Sequence, residues 1–455
     1  MRDVRGLKEF VQILEGQGEL QRIKEPLDPR YEISSVLSEI GRREGPALLF
    51  ESVKGCSTPL VGNLLGTNKR IALALGVQEE DIREGRLPNM ERRIPPVLLG
   101  KKSERELISS KKDIDLRRII PALTYYIKDS GPYITAGITS ARDPRDGTMG
   151  RGLHRMEMRG ESEIGISLIN PPLSDIYAYH RGQGTRMEVA TALGVDPSIL
   201  FATIQNIPRG TDKFAFAGGL MGEAIATKKA ETVDVEVPAY AEIIIEGIID
   251  PRGEENDGTL GEASGYYMAF SSSPTIHVTA VSYRKNPCFQ AILPWSLEVD
   301  HLVSLFHGLD FIPKMKRDVP NILDVHFVPG TFGSHVVFSI DSENKADIRR
   351  ALTLALTFTR TKKATAVDAD VNPRDHLEVE WAMATRFQAD RDLIVIPSLR
   401  GQPIDPSTGP GFATSKVGID ATKPNKEAFE KVDFPEDVKD RMSSLIADIV
   451  KEGWK

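Results

Sequence analysis

The segment Asp257-Gly-Thr-Leu-Gly-Glu262-Ala-Ser-Gly-Tyr266 sets two carboxylates five residues apart, interleaved with Gly258, Gly261 and Gly265. A carboxylate whose surroundings adjust its proton affinity can act as a general acid or base. Glycines let backbone approach a ligand closely. The plain alternative is a glycine-rich hairpin with solvated acids. A second group, Gly150-Arg151-Gly-Leu-His154-Arg155-Met-Glu157, puts basic side chains on a strand-like run. Arginine's planar fork suits a carboxylate or phosphate, unless Glu157 pairs with it locally. Thr203-Ile-Gln205 runs on to Arg209, and Met221-Gly-Glu223 follows; Glu223 offers oxygen to a hard cation. In Ser415-Lys416-Val-Gly-Ile-Asp420-Ala-Thr422, small residues flank a lysine. That pattern suits a phosphate or carboxylate pocket, or a solvated loop. Asp368-Ala-Asp370-Val-Asn372 could hold a cation or simply form a turn. No HExxH, Walker loop, GxGxxG or GxSxG is present.

The elements that must position these groups fall into three blocks. Apolar spacing at Leu7, Phe10, Val11 and Leu14 predicts a helix over 7–20, and 31–43 predicts another. Strands are expected at 46–53 and 59–65, a helix at 69–75, and a proline-rich linker at 88–96. From 119 to 291 short strand-like runs recur: 133–139, 153–158, 164–169, 189–193, 241–249 and 275–283. Their density predicts a barrel or sandwich, with helical inserts at 174–180 and 215–224. After Pro294 comes a mixed tail. Strands are expected at 325–328, 335–340, 364–371 and 393–396, and helices at 345–359, 375–385 and 435–451. The last is amphipathic, packing on a partner subunit or on its own chain.

At 455 residues, two or three domains are expected. The net charge of -7 argues against nucleic acid, and no apolar run approaches a bilayer span. The N-terminus lacks a signal-peptide core, and two cysteines make no disulfide framework. These features predict a cytoplasmic protein without a membrane or nucleic-acid partner.

Taken in order, six motifs resemble the UbiD family of prenylated-flavin-dependent decarboxylases. Lys128-Asp-Ser-Gly-Pro-Tyr-Ile134-Thr135 is similar to the family's DGGxYIT, and Gly152-Leu-His-Arg155-Met to GIYRM. Ala192–Pro197, Lys229–Glu242, Asp257–Tyr266 and Ser415–Thr422 complete the series over nearly the whole chain. The resemblance implies an α/β (α+β) chain of three domains. These are a small N-terminal α/β domain (1–105), a central flavin-binding split β-barrel (106–300), and a C-terminal α/β domain with a linker helix (301–455) for closure and oligomerisation. It implies prenylated FMN as cofactor. Arg155 and Glu262 take the catalytic positions, and Asp257 stands where the family has its first glutamate, one methylene shorter. Thr135, Gly150, His154, Thr203, Gln205, Glu223 and Lys416 take cofactor-binding positions, with Lys416 meeting the flavin phosphate.

The resemblance also implies manganese and potassium beside that phosphate, but the chain departs from the pattern here. The usual asparagine is Gly150, no histidine stands near Asn170-Pro171, His180 is too far along, and only Glu223 matches a ligand. On one reading the metal sits on Glu223, backbone carbonyls and water, while Arg151 and His154 supply positive charge. On another the chain has lost the cofactor and serves as a non-catalytic subunit of a carboxylase complex. Retention of Arg155, Glu262 and Lys416 favours an active enzyme. A plain flavin-binding or flavin-reducing barrel is a further alternative, which would leave the acid pair unexplained.

In the expected reaction Arg155 clamps the substrate carboxylate bidentately. Carbon dioxide leaves, and Glu262 protonates the carbon; carboxylation is the reverse. Expected substrates are an α,β-unsaturated, aromatic or heteroaromatic acid. Close behind is a phosphorylated enoic acid of the anhydromevalonate phosphate type, served by Arg151, His154 and Arg181. Expected partners are that small acid, a flavin prenyltransferase as cofactor supplier, and further copies in a homodimer or dimer-based hexamer.

Overall fold

The computed structural model describes residues 6–100, 105–108, 113–205, 207–208, 210–425 and 429–451, so Arg209 lies outside the described residues. Helix Leu7–Gly16 buries Leu7, Phe10, Val11 and Leu14 on one face, the stripe a surface helix lays on a core. The expected helix ends at Gly16, and strand Leu20–Ile23 follows it. That strand lies parallel to Ala47–Phe50, which pairs antiparallel with Leu60–Gly62. The fourth strand of this sheet, Phe289–Gln290, comes from the end of the central region. The first two blocks therefore share a sheet. Strand Val97–Leu98 already pairs with Ala226–Lys229, so the central fold begins ahead of residue 106.

The central sheet runs Tyr133–Ile134, Met156–Met158, Glu163–Ile166, Ser273–Tyr283, Ile243–Glu255, Met187–Leu193, Ile138–Arg142, Met149–Leu153, with Glu106–Ile108 paired off this path. Among the described residues its two ends do not pair, which leaves a half-barrel. Irregularities between Glu246 and Gly247 and between Ile249 and Glu254 interrupt its longest pairing, and bulges of this kind increase strand twist. Strand Met187–Leu193 shows how the curl is filled. Ala190 and Ala192 join one core with Leu200, Phe201 and Phe214, while Met187, Val189 and Leu193 join another with Tyr133 and Met156. Alternation across a pleat sends successive side chains to opposite faces, and here both are buried.

Two departures from the sequence expectation matter for function. The run 153–158 is two strands, Met149–Leu153 and Met156–Met158, broken at His154 and Arg155. The tail after Pro294 opens with a 22-residue helix, Leu297–Asp318, capped by Ser296. It buries two acids, Glu298 and Asp300, and carries Pro313 inside, which hides its apolar period.

Beyond it lies a five-stranded sheet in the order Ile322–Phe327, His335–Ile340, Lys363–Asp368, Ala413–Ala421, Leu393–Arg400. Helix Lys345–Thr357 makes the crossover between the parallel strands His335–Ile340 and Lys363–Asp368. The last helix, Glu436–Lys451, leaves Leu445, Ile446 and Ile449 exposed. No described helix is long and apolar enough to cross a membrane.

Candidate active site

Asp257 and Glu262 sit either side of strand Leu260–Gly261 and converge on one guanidinium. Arg155 Nη1 donates to Glu262 Oε1 at 2.6 Å, and Nη2 donates to Asp257 Oδ2. Arg155 Nε donates to Ser167 Oγ at 3.0 Å, and that hydroxyl donates to Asp257 Oδ1 at 3.0 Å. Asp257 Oδ2 also accepts Phe270 N–H at 2.9 Å, and the Phe270 ring lies 4.9 Å from the guanidinium carbon. Burial pulls the guanidinium pKa down, but the charges of Glu262 and Asp257 outweigh it and the pKa is raised. Removing the arginine would leave two largely buried carboxylates without a counterion, a loss of ~3–5 kcal/mol for a buried pair. Glycines make the convergence possible. A Cβ at Gly258 would strike Ser130, Tyr133 and Glu157, and one at Gly261 would strike the Tyr126 ring. Asp129 holds the loop by accepting N–H bonds from Gly261, Tyr126 and Tyr125.

On the other side of the strand break lies a cavity of about 930 Å³ between the half-barrel and the C-terminal domain. That is the upper range of small-molecule sites. Gly150, His154, Thr203 and Gln205 line it, together with Lys213 and Arg360. Ser167 joins the two regions. Its carbonyl holds His154 Nδ1 at 2.9 Å, while its hydroxyl holds Arg155 and Asp257. Burial pushes the His154 pKa down to about 4, with the Lys213 charge adding to this, so the imidazole is neutral near pH 7. Gln205 Nε2 and His307 Nε2 face this region buried and without hydrogen-bond partners.

The structure redistributes several expected roles. The bidentate clamp expected of Arg155 is already filled by Asp257, Glu262 and Ser167; only the 3.4 Å contacts to Met268 O and Gly258 O are weak. Arg151 cannot supply free charge. It is fully buried, bonded to both Asp212 oxygens, Ser140 and the Glu236 carbonyl, and stacked 3.6 Å from the Phe214 centroid. Arg181 pairs with Glu254 at 3.1 Å. Thr135 does not line the cavity; its Oγ1 meets Tyr125 Oη at 2.7 Å and accepts Ile292 N–H. Lys416 is buried away from the cavity surface, where its Nζ donates to the carbonyls of Leu356, Phe358 and Thr359. It supports the segment carrying Arg360 instead of facing a ligand.

Glu223 lies in a separate recess with Asp196, Met221 and Tyr240. Among the described residues no three His, Cys, Asp or Glu side chains gather to hold a metal ion. The expected manganese and potassium site finds no support in the residues described, because Glu223 stands apart from the cavity. The physical reason is that helix Lys213–Met221 ends before Glu223 and carries Lys213, not Glu223, to the cavity wall. Asp368 and Asp370 are likewise no cation site, since both pair with Arg386 and Asp370 also with Lys423. Sequence reading missed Ser167, Lys213 and Arg360. Asp212 opening an apolar run is a helix-cap signal that marks Lys213; nothing local marks Ser167.

A half-barrel that ties an acid–arginine–acid group to a cofactor-sized cavity has the parts of an acid–base enzyme. Family models described for 3-octaprenyl-4-hydroxybenzoate carboxy-lyase match in three consecutive pieces: the N-terminal domain at 11–85, the Rift-related domain at 99–297 and the C-terminal domain at 300–421. Anhydromevalonate phosphate decarboxylase of Methanosarcina mazei is 32% identical over 440 residues, covering 94% of this chain and 99% of that protein. The UbiD-class enzyme HmfF from Pelotomaculum thermopropionicum, in complex with FMN, superposes with a TM-score of 0.87 at 35% identity, covering 94% of this chain and 97% of that one. An evolved dimeric form of the same enzyme, in complex with prFMN, superposes at 0.85 with 33% identity, covering 96% and 98%. The chain belongs to the UbiD family of carboxy-lyases.

Proposed function

We propose that this chain decarboxylates an α,β-unsaturated, aromatic or heteroaromatic acid with prenylated FMN in the cavity beside Arg155. The observation that carries this reading is Ser167, which couples the cavity wall to the acid pair in a single residue. Gly150, Thr203 and Gln205 would hold the flavin, Gln205 through its unfilled buried donor. When bound, the prenylated flavin supplies the electron sink that decarboxylation needs. Arg155 draws the substrate carboxylate by charge, through the N–H groups now weakly placed on Met268 O and Gly258 O. Glu262 gives its proton to the carbon that loses carbon dioxide, and regains one from solvent. Its second oxygen has no hydrogen-bond partner among the described residues. Asp257 keeps Arg155 in place.

The surroundings of Glu262 suit a flat apolar acid. Tyr126 packs on Gly261, Tyr267 meets Tyr126 edge-on at 6.4 Å, and Trp295 borders Gly265. A phosphorylated enoic acid is the second reading, favoured by the relative from Methanosarcina mazei. The exposed apolar residues of helix Glu436–Lys451, with Val432 and Phe434 before it, support association with further copies of the chain. The test is co-expression with a flavin prenyltransferase, followed by an absorption spectrum and mass of the released cofactor. Prenylated FMN at one per chain is expected; folded protein that takes up no flavin would move the reading to a non-catalytic subunit.

A further inference from the structure

Two cations stand in the cavity without acids to pair them. Lys213 Nζ donates to the Thr203 carbonyl and makes no ion pair among the described residues. Arg360 has no side-chain hydrogen bond or ion pair among the described residues. Burial alone pulls the Lys213 pKa down to about 8 and that of Arg360 to about 10. They sit on opposite walls. Lys213 is the first residue of helix Lys213–Met221, on the half-barrel side and close enough to His154 to lower its pKa. Arg360 follows helix Lys345–Thr357 in the C-terminal domain and acts the same way on His307. Two further nitrogens nearby are buried and without partners, Gln205 Nε2 and His307 Nε2.

A half-buried cation without a counterion is unfavourable unless a ligand supplies the charge. The helix that begins at Lys213 adds the partial positive charge of its N-terminus. The acids at this cavity do not answer the need. Of the acids lining it, Asp143 pairs with Arg145, Asp146 accepts from Thr148, and Asp175 lies close enough to Arg145 to raise its pKa, while Asp310 makes no ion pair with either cation among the described residues; Asp212, next to Lys213, is bound to Arg151. The donor set, with no trio of metal-ligating side chains beside it, has the chemistry of a direct phosphate site.

We propose that Lys213 and Arg360 bind the phosphate of the flavin directly, from the two walls of the cavity, and that cofactor binding in this chain needs no divalent cation. This rests on the flavin reading given above. Closing two domains onto one phosphate would also make the flavin a tie between them.

The experiment is titration of the full-length apoprotein with FMN and with riboflavin, followed by flavin fluorescence, in EDTA and again with added manganese. FMN is expected to bind equally in both, and riboflavin at least tenfold more weakly. Lys213→Met and Arg360→Met should each weaken FMN at least tenfold while leaving riboflavin affinity and the apoprotein melting temperature within error. FMN binding that disappears in EDTA and returns with manganese would overturn the proposal. So would Lys213→Met with unchanged FMN affinity, and loss confined to a phosphorylated enoic acid would then assign the cations to substrate. Failure of folded apoprotein to bind either flavin overturns the flavin reading itself.

Discussion

Glu262 and Asp257 look equivalent in sequence, and their hydrogen bonds separate them. Asp257 has both oxygens engaged, by Arg155, Ser167 and Phe270 N–H. Glu262 is held by one oxygen only, which suits a group that must hand over a proton. Glu262→Gln keeps the shape and the Arg155 bond. It should lower turnover by ~10²–10⁴-fold, the usual share of a general acid, with cofactor content and melting temperature unchanged. A rate within threefold of wild type, measured as carbon dioxide release, would remove Glu262 from that role. Ser167 acts through Arg155 and Asp257, so Ser167→Ala should lower kcat by ~10-fold or more while flavin content holds. Ser167→Thr, which restores the hydroxyl, should recover part of that loss. Equal loss in both variants would point to packing instead.

At the scale of elements, the linker helix Leu297–Asp318 joins the N-terminal block to the cavity. Glu298, near its start, is buried and accepts the Leu65 N–H at 2.8 Å. Burial pushes its pKa up to about 7, against the backbone N–H bonds and the Arg70 charge that favour ionisation. A raised carboxyl pKa favours folding below the unfolded value near 4.5, and that gain is lost as pH rises through 7. By pH 8 the ionised form costs about 3 kcal/mol. Glu298→Gln removes the titration and keeps an acceptor for Leu65. Its melting temperature relative to wild type should therefore rise between pH 5.5 and pH 8; a constant difference across that range would show that Glu298 ionises normally. Further along the same helix, His307 and Asp310 reach the cavity, so this one element carries both the domain junction and part of the ligand wall.

Across the whole molecule, buried and half-buried histidines weaken the fold in acid. His154 is held down at about 4, His326 at about 4 and His335 at about 3, each with burial as the largest cause. A depressed histidine pKa means that the unfolded chain takes up the proton first. Stability is therefore present above pH 6.5 and falls as pH drops from 6.5 towards 4. Fully buried His154 alone contributes about 3 kcal/mol to that fall. Urea midpoints should drop steeply between pH 6.5 and 4.5, and His335→Gln should flatten the slope; a flat profile over that window would contradict neutral burial.

Much of the architecture was legible because its signals are local. The helix at Leu7, the strand-rich centre and the terminal helix follow from apolar period, and the ordered motifs around Arg155, Asp257 and Glu262 point to the family. The break at His154–Arg155 was not legible, since the run 153–158 has strand composition throughout. Nor was the linker helix, whose buried face carries two acids and whose interior holds a proline. By itself the sequence determined the order of its helix- and strand-forming runs and which residue types could move protons, because residue type and spacing are properties of the chain. Only the tertiary structure decided which charges stay free. Arg151 is neutralised by Asp212, sixty-one residues away, Lys416 is held by helix-end carbonyls, and Lys213 and Arg360 are left facing one cavity. Ion pairing depends on distance in space, and residue type and spacing along the chain do not specify it.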